Sequence, residues 1–218
     1  MTLKIAIVGA ESTGKSTLAT ALAAALAEAT GLRCTAVPEW LRAWCEREGR
    51  TPRPDEQAAI AAGQHARIDA AAATHDIVVC DTTALMTAVY SRMLFDDRSL
   101  EDMAVMHQLG MGITLLTALD LPWEADGLQR DGPQVRAPVD TLVRELLITH
   151  ALPWAVVAGS GPARLQAALD AVSPLVRTRR TPRRGLFTRL DERNAQPEAR
   201  AWSCENCDDA ECEHRLRG

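Results

Sequence analysis

Residues 9 to 16 read Gly-Ala-Glu-Ser-Thr-Gly-Lys-Ser, behind the apolar run Leu3, Ile5, Ala6, Ile7, Val8 and ahead of an alanine- and leucine-rich stretch from Thr17 to Ala29. A strand that enters a glycine-bounded turn and leaves as a helix is the setting of a P-loop, and it commits the chain to an α/β architecture. Gly9 and Gly14 permit the tight turn, so that backbone N–H groups and the helix N-terminus converge on a phosphate chain. Lys15 supplies a mobile positive charge for the β- and γ-phosphates, and the Ser16 hydroxyl a ligand for Mg²⁺. Glu11, Ser12 and Thr13 complete the loop, and Thr17 extends it along the phosphates. These residues, with Arg136 further on, form the expected ATP-binding set.

The remaining elements follow from hydrophobic pattern and breakers. Gly31 stops the first helix, and Arg33 to Val37 form a short second strand ended by Pro38. Helical patterns run from about Trp40 to Glu48 and from Asp55 to Thr74, parted by Thr51-Pro-Arg-Pro. Ile77-Val-Val-Cys80 is continuously apolar, as a parallel strand buried on both faces must be. Two similar runs lie at Ile113 to Leu119 and Ala155 to Ala158, with helical patterns near 83–94, 100–109 and 139–149 between them. The alternation predicts a P-loop three-layer sandwich on a five-stranded parallel sheet, with ligands at the carboxyl ends of the strands. The expected division is a catalytic domain over 1–175, a basic linker over 176–200 and a tail over 201–218.

Polar residues stand just past several strands, at Gly9 onward, Glu39, Asp81 and Asp120. Ile77 to Asp81 resembles a Walker B strand, whose aspartate holds Mg²⁺ together with Ser16. The following residue is Thr82, where P-loop hydrolases place a water-polarising glutamate; the guanine-reading motif of GTPases and the signature of transporter ATPases are also missing. The pattern points to a kinase that keeps water from a transferable phosphoryl group. Such an enzyme needs a carboxylate for the acceptor hydroxyl, and Glu39, in a Pro-Glu context, is placed for it. Arg42 follows on the same segment. Asp55, Gln64 and His65 are read as surface helix residues beside the cleft. The segment from Asp120 to Arg136, broken by Pro122, Gly127, Gly132 and Pro133, reads as a phosphate-covering loop carrying Arg130 and Arg136. Five tryptophans outnumber two phenylalanines and one tyrosine. Trp40 and Trp123 fall where indole faces could stack on a planar, cationic ring, whereas Trp44 and Trp154 read as core.

Taken together, these residues resemble the ribosylnicotinamide kinase family, the kinase domain found in bacterial NadR proteins, over roughly residues 3 to 172. The likeness rests on residues 9–16, Pro-Glu-Trp-Leu-Arg at 38–42, Gln64, Cys-Asp-Thr-Thr at 80–83 with Thr87, and Asp-Leu-Pro-Trp-Glu-Ala-Asp-Gly at 120–127. The resemblance implies transfer of the ATP γ-phosphate to the 5′-hydroxyl of nicotinamide riboside. Glu39 or Asp81 would orient the hydroxyl, and Lys15, Arg130 and Arg136 would neutralise phosphate charge. Trp40, Arg42, Trp123 and Asp126 would join Glu39 and Asp81 around the nucleoside. The chain lacks the HxGH motif of the family's larger members, so a second, adenylyl-transferring step is not implied. It also places Gly-Leu-Gln-Arg where the family usually puts an arginine sooner after the glycine.

Length and charge set the outer bounds. A chain of 218 residues with 47% hydrophobic content can bury one good core. A net charge of −5 disfavours non-specific nucleic-acid binding, although Arg177 to Arg193 is locally basic. No run of about eighteen uncharged apolar residues exists, and the first strand begins at once, so a cytoplasmic protein is expected. At the far end, Cys204-x-x-Cys207-x4-Cys212-x-His214 offers four ligands suited to a tetrahedral Zn²⁺ site. Such a tail would serve as a folding staple or as a contact for a protein partner or a second copy.

Overall fold

The computed structural model describes residues 2–124 and 132–177. Its centre is a five-stranded, wholly parallel sheet in the order β2-β3-β1-β4-β5, made of β1 (Leu3–Val8), β2 (Cys34–Val37), β3 (Ile77–Asp81), β4 (Ile113–Thr117) and β5 (Trp154–Val157). All neighbours pair in parallel; Leu3 lies opposite Ile77, and Ile5 opposite Ile113. Because every connection is a crossover, the sheet is covered on both faces, and β1 and β3 carry almost no solvent-exposed side chain.

The crossovers supply α1 (Lys15–Thr30), α2 (Trp40–Glu48), α3 (Gln57–Ala72), α4 (Ala84–Phe95), α5 (Glu101–Leu109), α6 (Arg136–Thr149) and α7 (Gly161–Arg177). One face packs Ile5, Ile7 and Leu115 against Leu18, Leu22 and Leu26 of α1 and Leu169, Val172 and Val176 of α7. The other packs Val8 and Leu116 under Leu85 and Val89 of α4, Ala104 of α5, and Val139, Val143 and Leu147 of α6. A third cluster joins Ala6, Val78 and Cys80 to Ile68 of α3. Removing a fully buried side chain such as Leu22 from these layers costs about 2–5 kcal/mol.

The three-layer sandwich and five-stranded sheet match the sequence expectation, with three local differences. The long helical pattern after Pro52 starts as a 3-10 turn at Pro54–Glu56, held by Arg50, whose guanidinium donates to both Glu56 oxygens. The fourth sequence strand shortens to Ile113–Thr117, and the fifth shifts by one residue to Trp154–Val157. Helix α7 is an addition: the glycines at 159 and 161 read locally as loop, but apolar Leu165, Ala168, Leu169, Val172 and Val176 then recur with helical spacing on α1 and the sheet. Trp44 is buried as expected, and Trp154 is half-buried against the second cluster. Among the described residues no helix is long and apolar enough to cross a membrane, and Cys34, Cys45 and Cys80 are unbridged. Burial pushes the Cys80 thiol up to about 12, as befits an inert core residue.

Candidate active site

The carboxyl ends of β1, β3 and β2 open into one cleft. Gly9 leaves β1 at φ 144°, and a Cβ there would collide with Thr117 Oγ1, so only glycine lets the loop lie against β4. The Thr117 hydroxyl donates to Val8 O and lies 2.7 Å from Thr13 Oγ1, and Thr13 Oγ1 donates to Ala10 O. Lys15 folds over the loop, with Nζ donating to Ala10 O at 2.7 Å. Ser12 is left-handed at φ 55°, and Gly14, at φ 73°, caps α1. A left-handed serine is a strained conformation of the kind that concentrates at ligand-binding loops.

A cavity of about 360 Å³ lies over this loop, lined by Ser12, Thr13, Gly14, Lys15, Ser16 and Thr17 and walled by Pro38, Glu39, Arg42 and Asp81. Asp81, the last residue of β3, is buried, and its Oδ1 has no hydrogen-bond partner among the described residues. Burial holds its carboxyl above the ordinary carboxylate range, opposed by the Ser16 hydroxyl and the charges of Lys15 and Arg42. A buried carboxylate oxygen without a donor, beside a serine hydroxyl, suits a divalent cation, so the donor set fits Mg²⁺.

A second cavity of about 380 Å³ adjoins the first and shares Ser12, Lys15, Glu39 and Arg42 with it. Much of the rest of its wall is of a different kind: Met86, Thr87, Tyr90, Leu94 and Phe95 from α4, Leu41 and Cys45 from α2, and Glu11 from the loop. Glu39 stands between the two spaces as the residue before α2. Thr82, at φ 65°, turns the chain from β3 toward α4 and lines the second cavity.

Gln64 organises this wall from beneath. It is buried, its amide Nε2 donates to Thr82 O at 3.3 Å, and its Oε1 accepts from the Trp40 N–H at 2.6 Å, so one side chain fixes the chain leaving β2 to the chain leaving β3. This corrects the surface placement expected for Gln64. His65 and Asp55 line neither of these cavities; the His65 ring instead stacks on His107, centroids 3.4 Å apart.

Two further expectations change. Trp40 does not face the cleft: its indole packs where Gly63 leaves room, and the Arg67 guanidinium lies 3.5 Å from the ring centroid, so its π face is already taken. Glu11 belongs to the second cavity and lines no part of the loop cavity. Trp123 is half-buried and Arg136 buried at the start of α6; neither lines these cavities, and Trp123 Nε1 and Arg136 Nε and Nη2 lack hydrogen-bond partners among the described residues. Asp126, Arg130, and the Cys204, Cys207, Cys212 and His214 set lie outside the described residues, and no group of three metal-ligating side chains occurs among those described. The sequence reading missed Met86, Tyr90 and Phe95. Their signal was the i, i+4 ridge Met86, Tyr90, Leu94 on the helix that follows the Walker B-like strand.

A family model described as an AAA domain matches residues 4–164. The chain belongs to that family. No curated protein matches it by sequence. Among solved structures, this AAA domain is similar to the NadR protein in complex with NR, with a TM-score of 0.67 and 19% identity over 84% of this chain and 53% of that one. NadR in complex with NAD and AMP-PNP gives a TM-score of 0.64, also at 19% identity, over 84% of this chain and 51% of the other. The deoxyadenosine kinase of M. mycoides, with products dCMP and a flexible dCDP bound, gives 0.54 at 12% identity, over 79% of this chain and 100% of that one. The thymidylate kinase of Ehrlichia chaffeensis gives 0.53 at 16%, over 80% and 98%. The chain thus spans about half the length of the NadR chains. It shares its fold with these NadR, deoxyadenosine kinase and thymidylate kinase structures, and the expected likeness to NadR is present in that fold.

Proposed function

We propose that this chain is a phosphotransferase that moves the γ-phosphoryl group of ATP to the 5′-hydroxyl of a nucleoside, nicotinamide riboside in particular. The observation that carries the reading is that a phosphate-type cavity and an apolar, acid-edged cavity meet at Ser12, Lys15, Glu39 and Arg42. Two substrates seated one in each would be brought together at those residues, and holding them in register is most of what phosphoryl transfer asks of a protein.

Lys15 and the loop N–H groups bind the donor phosphates, with Arg130 and Arg136 as further neutralising charges. Ser16 and Asp81 would hold Mg²⁺, which when bound offsets the charge of the transferring group. Glu39 borders both cavities, whereas Asp81 borders only the phosphate one. That division supports Glu39 as the carboxylate that orients the acceptor hydroxyl and takes its proton, with Asp81 reserved for the metal. Thr82, unable to activate water as a carboxylate would, favours transfer over hydrolysis. In the second cavity, Tyr90, Phe95 and Met86 offer a surface for a planar ring, and Glu11 and Glu39 favour a positively charged one. Nicotinamide riboside combines both properties, and one similar fold, NadR, was solved with NR. Trp123 and Asp126 are proposed as further contacts to the nucleoside.

The test is a set of initial rates with Mg·ATP and nicotinamide riboside, deoxyadenosine, adenosine, thymidine and uridine. Nicotinamide riboside should give the highest kcat/KM. A rate no better than the other nucleosides would overturn the substrate, and ATP hydrolysis indifferent to every acceptor would overturn the kinase. For the tail we propose a structural Zn²⁺ held by Cys204, Cys207, Cys212 and His214. Metal analysis should find about one zinc per chain, lost in Cys207→Ser; zinc-free protein would remove it.

A further inference from the structure

Arg164, in the first turn of α7, is only 4% exposed yet lies outside both cavities. Its guanidinium reaches three separate segments. Nη1 donates to Thr13 O in the phosphate loop at 2.7 Å, Nε donates to Gly159 O at 2.7 Å, and Nη2 donates to the Asp120 carboxylate. The other Asp120 oxygen accepts from the Gly159 N–H at 2.6 Å. Asp120 and Arg164 thereby join the exits of β4 and β5 to the middle of the phosphate loop.

The bond to Thr13 O has a directional consequence. In a trans peptide the C=O and the following N–H point oppositely. A Thr13 carbonyl held toward Arg164 therefore turns the Gly14 N–H away from Arg164, and Gly14 lines the phosphate cavity. A planar, permanently charged fork fixes such an orientation better than a single neutral donor, because its other N–H groups are themselves anchored. The segment that Asp120 begins makes a second contact with the loop, the Glu124 N–H donating to Ser12 Oγ at 2.8 Å.

We propose that Arg164, held by Asp120, is a positioning residue for the donor nucleotide: it sets the Thr13–Gly14 peptide so that the loop presents its N–H to phosphate before nucleotide arrives. The inference deepens the phosphotransfer reading on its donor side and is independent of which nucleoside accepts.

The experiment measures Mg·ADP affinity by calorimetry, with the melting temperature as a check on folding and both KM values from steady-state rates. Arg164→Met should weaken ADP about tenfold, the scale of one charged hydrogen bond, and raise the ATP KM while the acceptor KM moves less than twofold. Arg164→Lys, which can still donate to Thr13 O, should recover part of the loss, and Asp120→Asn should fall between. Wild-type ADP affinity in folded Arg164→Met, or equal shifts in the two KM values, would overturn the proposal. If Arg164→Met fails to fold, wild-type affinity in both Arg164→Lys and Asp120→Asn does so instead. The binding arm needs no acceptor, so a failure of nicotinamide riboside as substrate leaves this outcome readable.

Discussion

The two halves of the cleft are made by different means. The phosphate half is one contiguous stretch of backbone, Gly9 to Thr17, whose shape depends on left-handed residues, on carbonyls held by Thr13, Lys15 and Arg164, and on the close approach of Gly9 to Thr117. The proposed acceptor half is made of side chains drawn from the loop, from α2 and the turn after it, from the start of α3, and from the length of α4 and the turn before it. Backbone presents the same donors whatever the nucleotide, whereas a wall of Met86, Tyr90 and Phe95 is shaped by each residue's bulk. Substitutions on the first side should therefore act on charge and turnover, and those on the second on acceptor affinity.

The largest effect expected is on the phosphate side. Lys15→Ala should lower kcat by about 10³-fold in steady-state assays, since it removes a cation from the transferring phosphates; a loss under tenfold would detach Lys15 from the chemistry. Asp81→Asn should be comparably inactive and yet more stable. Burial raises the Asp81 pKa, so the ionised carboxylate costs stability above that raised value, and the cost disappears as pH falls through it. The melting-temperature gain of Asp81→Asn should accordingly be greatest near neutral pH and shrink toward pH 4. A loss of stability at neutral pH would contradict the buried-charge account.

Glu39→Gln sits on the boundary and should lower kcat by about 10²-fold while leaving ADP affinity nearly unchanged; normal turnover would eliminate Glu39 as the base. On the acceptor side, Tyr90→Ala should raise the acceptor KM about tenfold with little change in the ATP KM. If both KM values rose together, the division between the halves would fail. The smallest catalytic effect is expected of Trp40→Leu, which should lower stability but leave the acceptor KM within twofold, because the indole is covered by Arg67 and lines neither cavity. A large acceptor effect there would restore Trp40 as a substrate contact.

This contrast also explains what could be read from residues alone. The phosphate loop was legible because its chemistry is contiguous, and the sheet because Ile77 to Cys80 and the runs like it admit no amphipathic alternative. Asp81 and Glu39 could be found because a parallel sheet puts strand ends on one side. Helix α7 was missed because its opening glycines mimic a loop, and with it went Arg164, whose partners Thr13 and Asp120 are distant in sequence. Gln64 was misplaced because a polar residue in an alanine-rich helix looks solvated until the carbonyls of Pro38, Asp81 and Thr82, at the exits of β2 and β3, are seen converging on it. Tryptophan abundance misled in the same way: an indole's position in the chain does not reveal that an arginine already covers it.

The central claim is that the two cavities hold donor and acceptor on either side of Glu39. A crystal structure with Mg²⁺, a non-hydrolysable ATP analogue and nicotinamide riboside tests it most directly. The account predicts the triphosphate over Gly14 to Thr17 and the pyridinium ring against Tyr90. It places the 5′-hydroxyl within hydrogen-bond reach of Glu39, about 3–3.5 Å from the terminal phosphorus. A nucleoside bound elsewhere, or one whose 5′-hydroxyl points away from the phosphates with Glu39 unengaged, would contradict it.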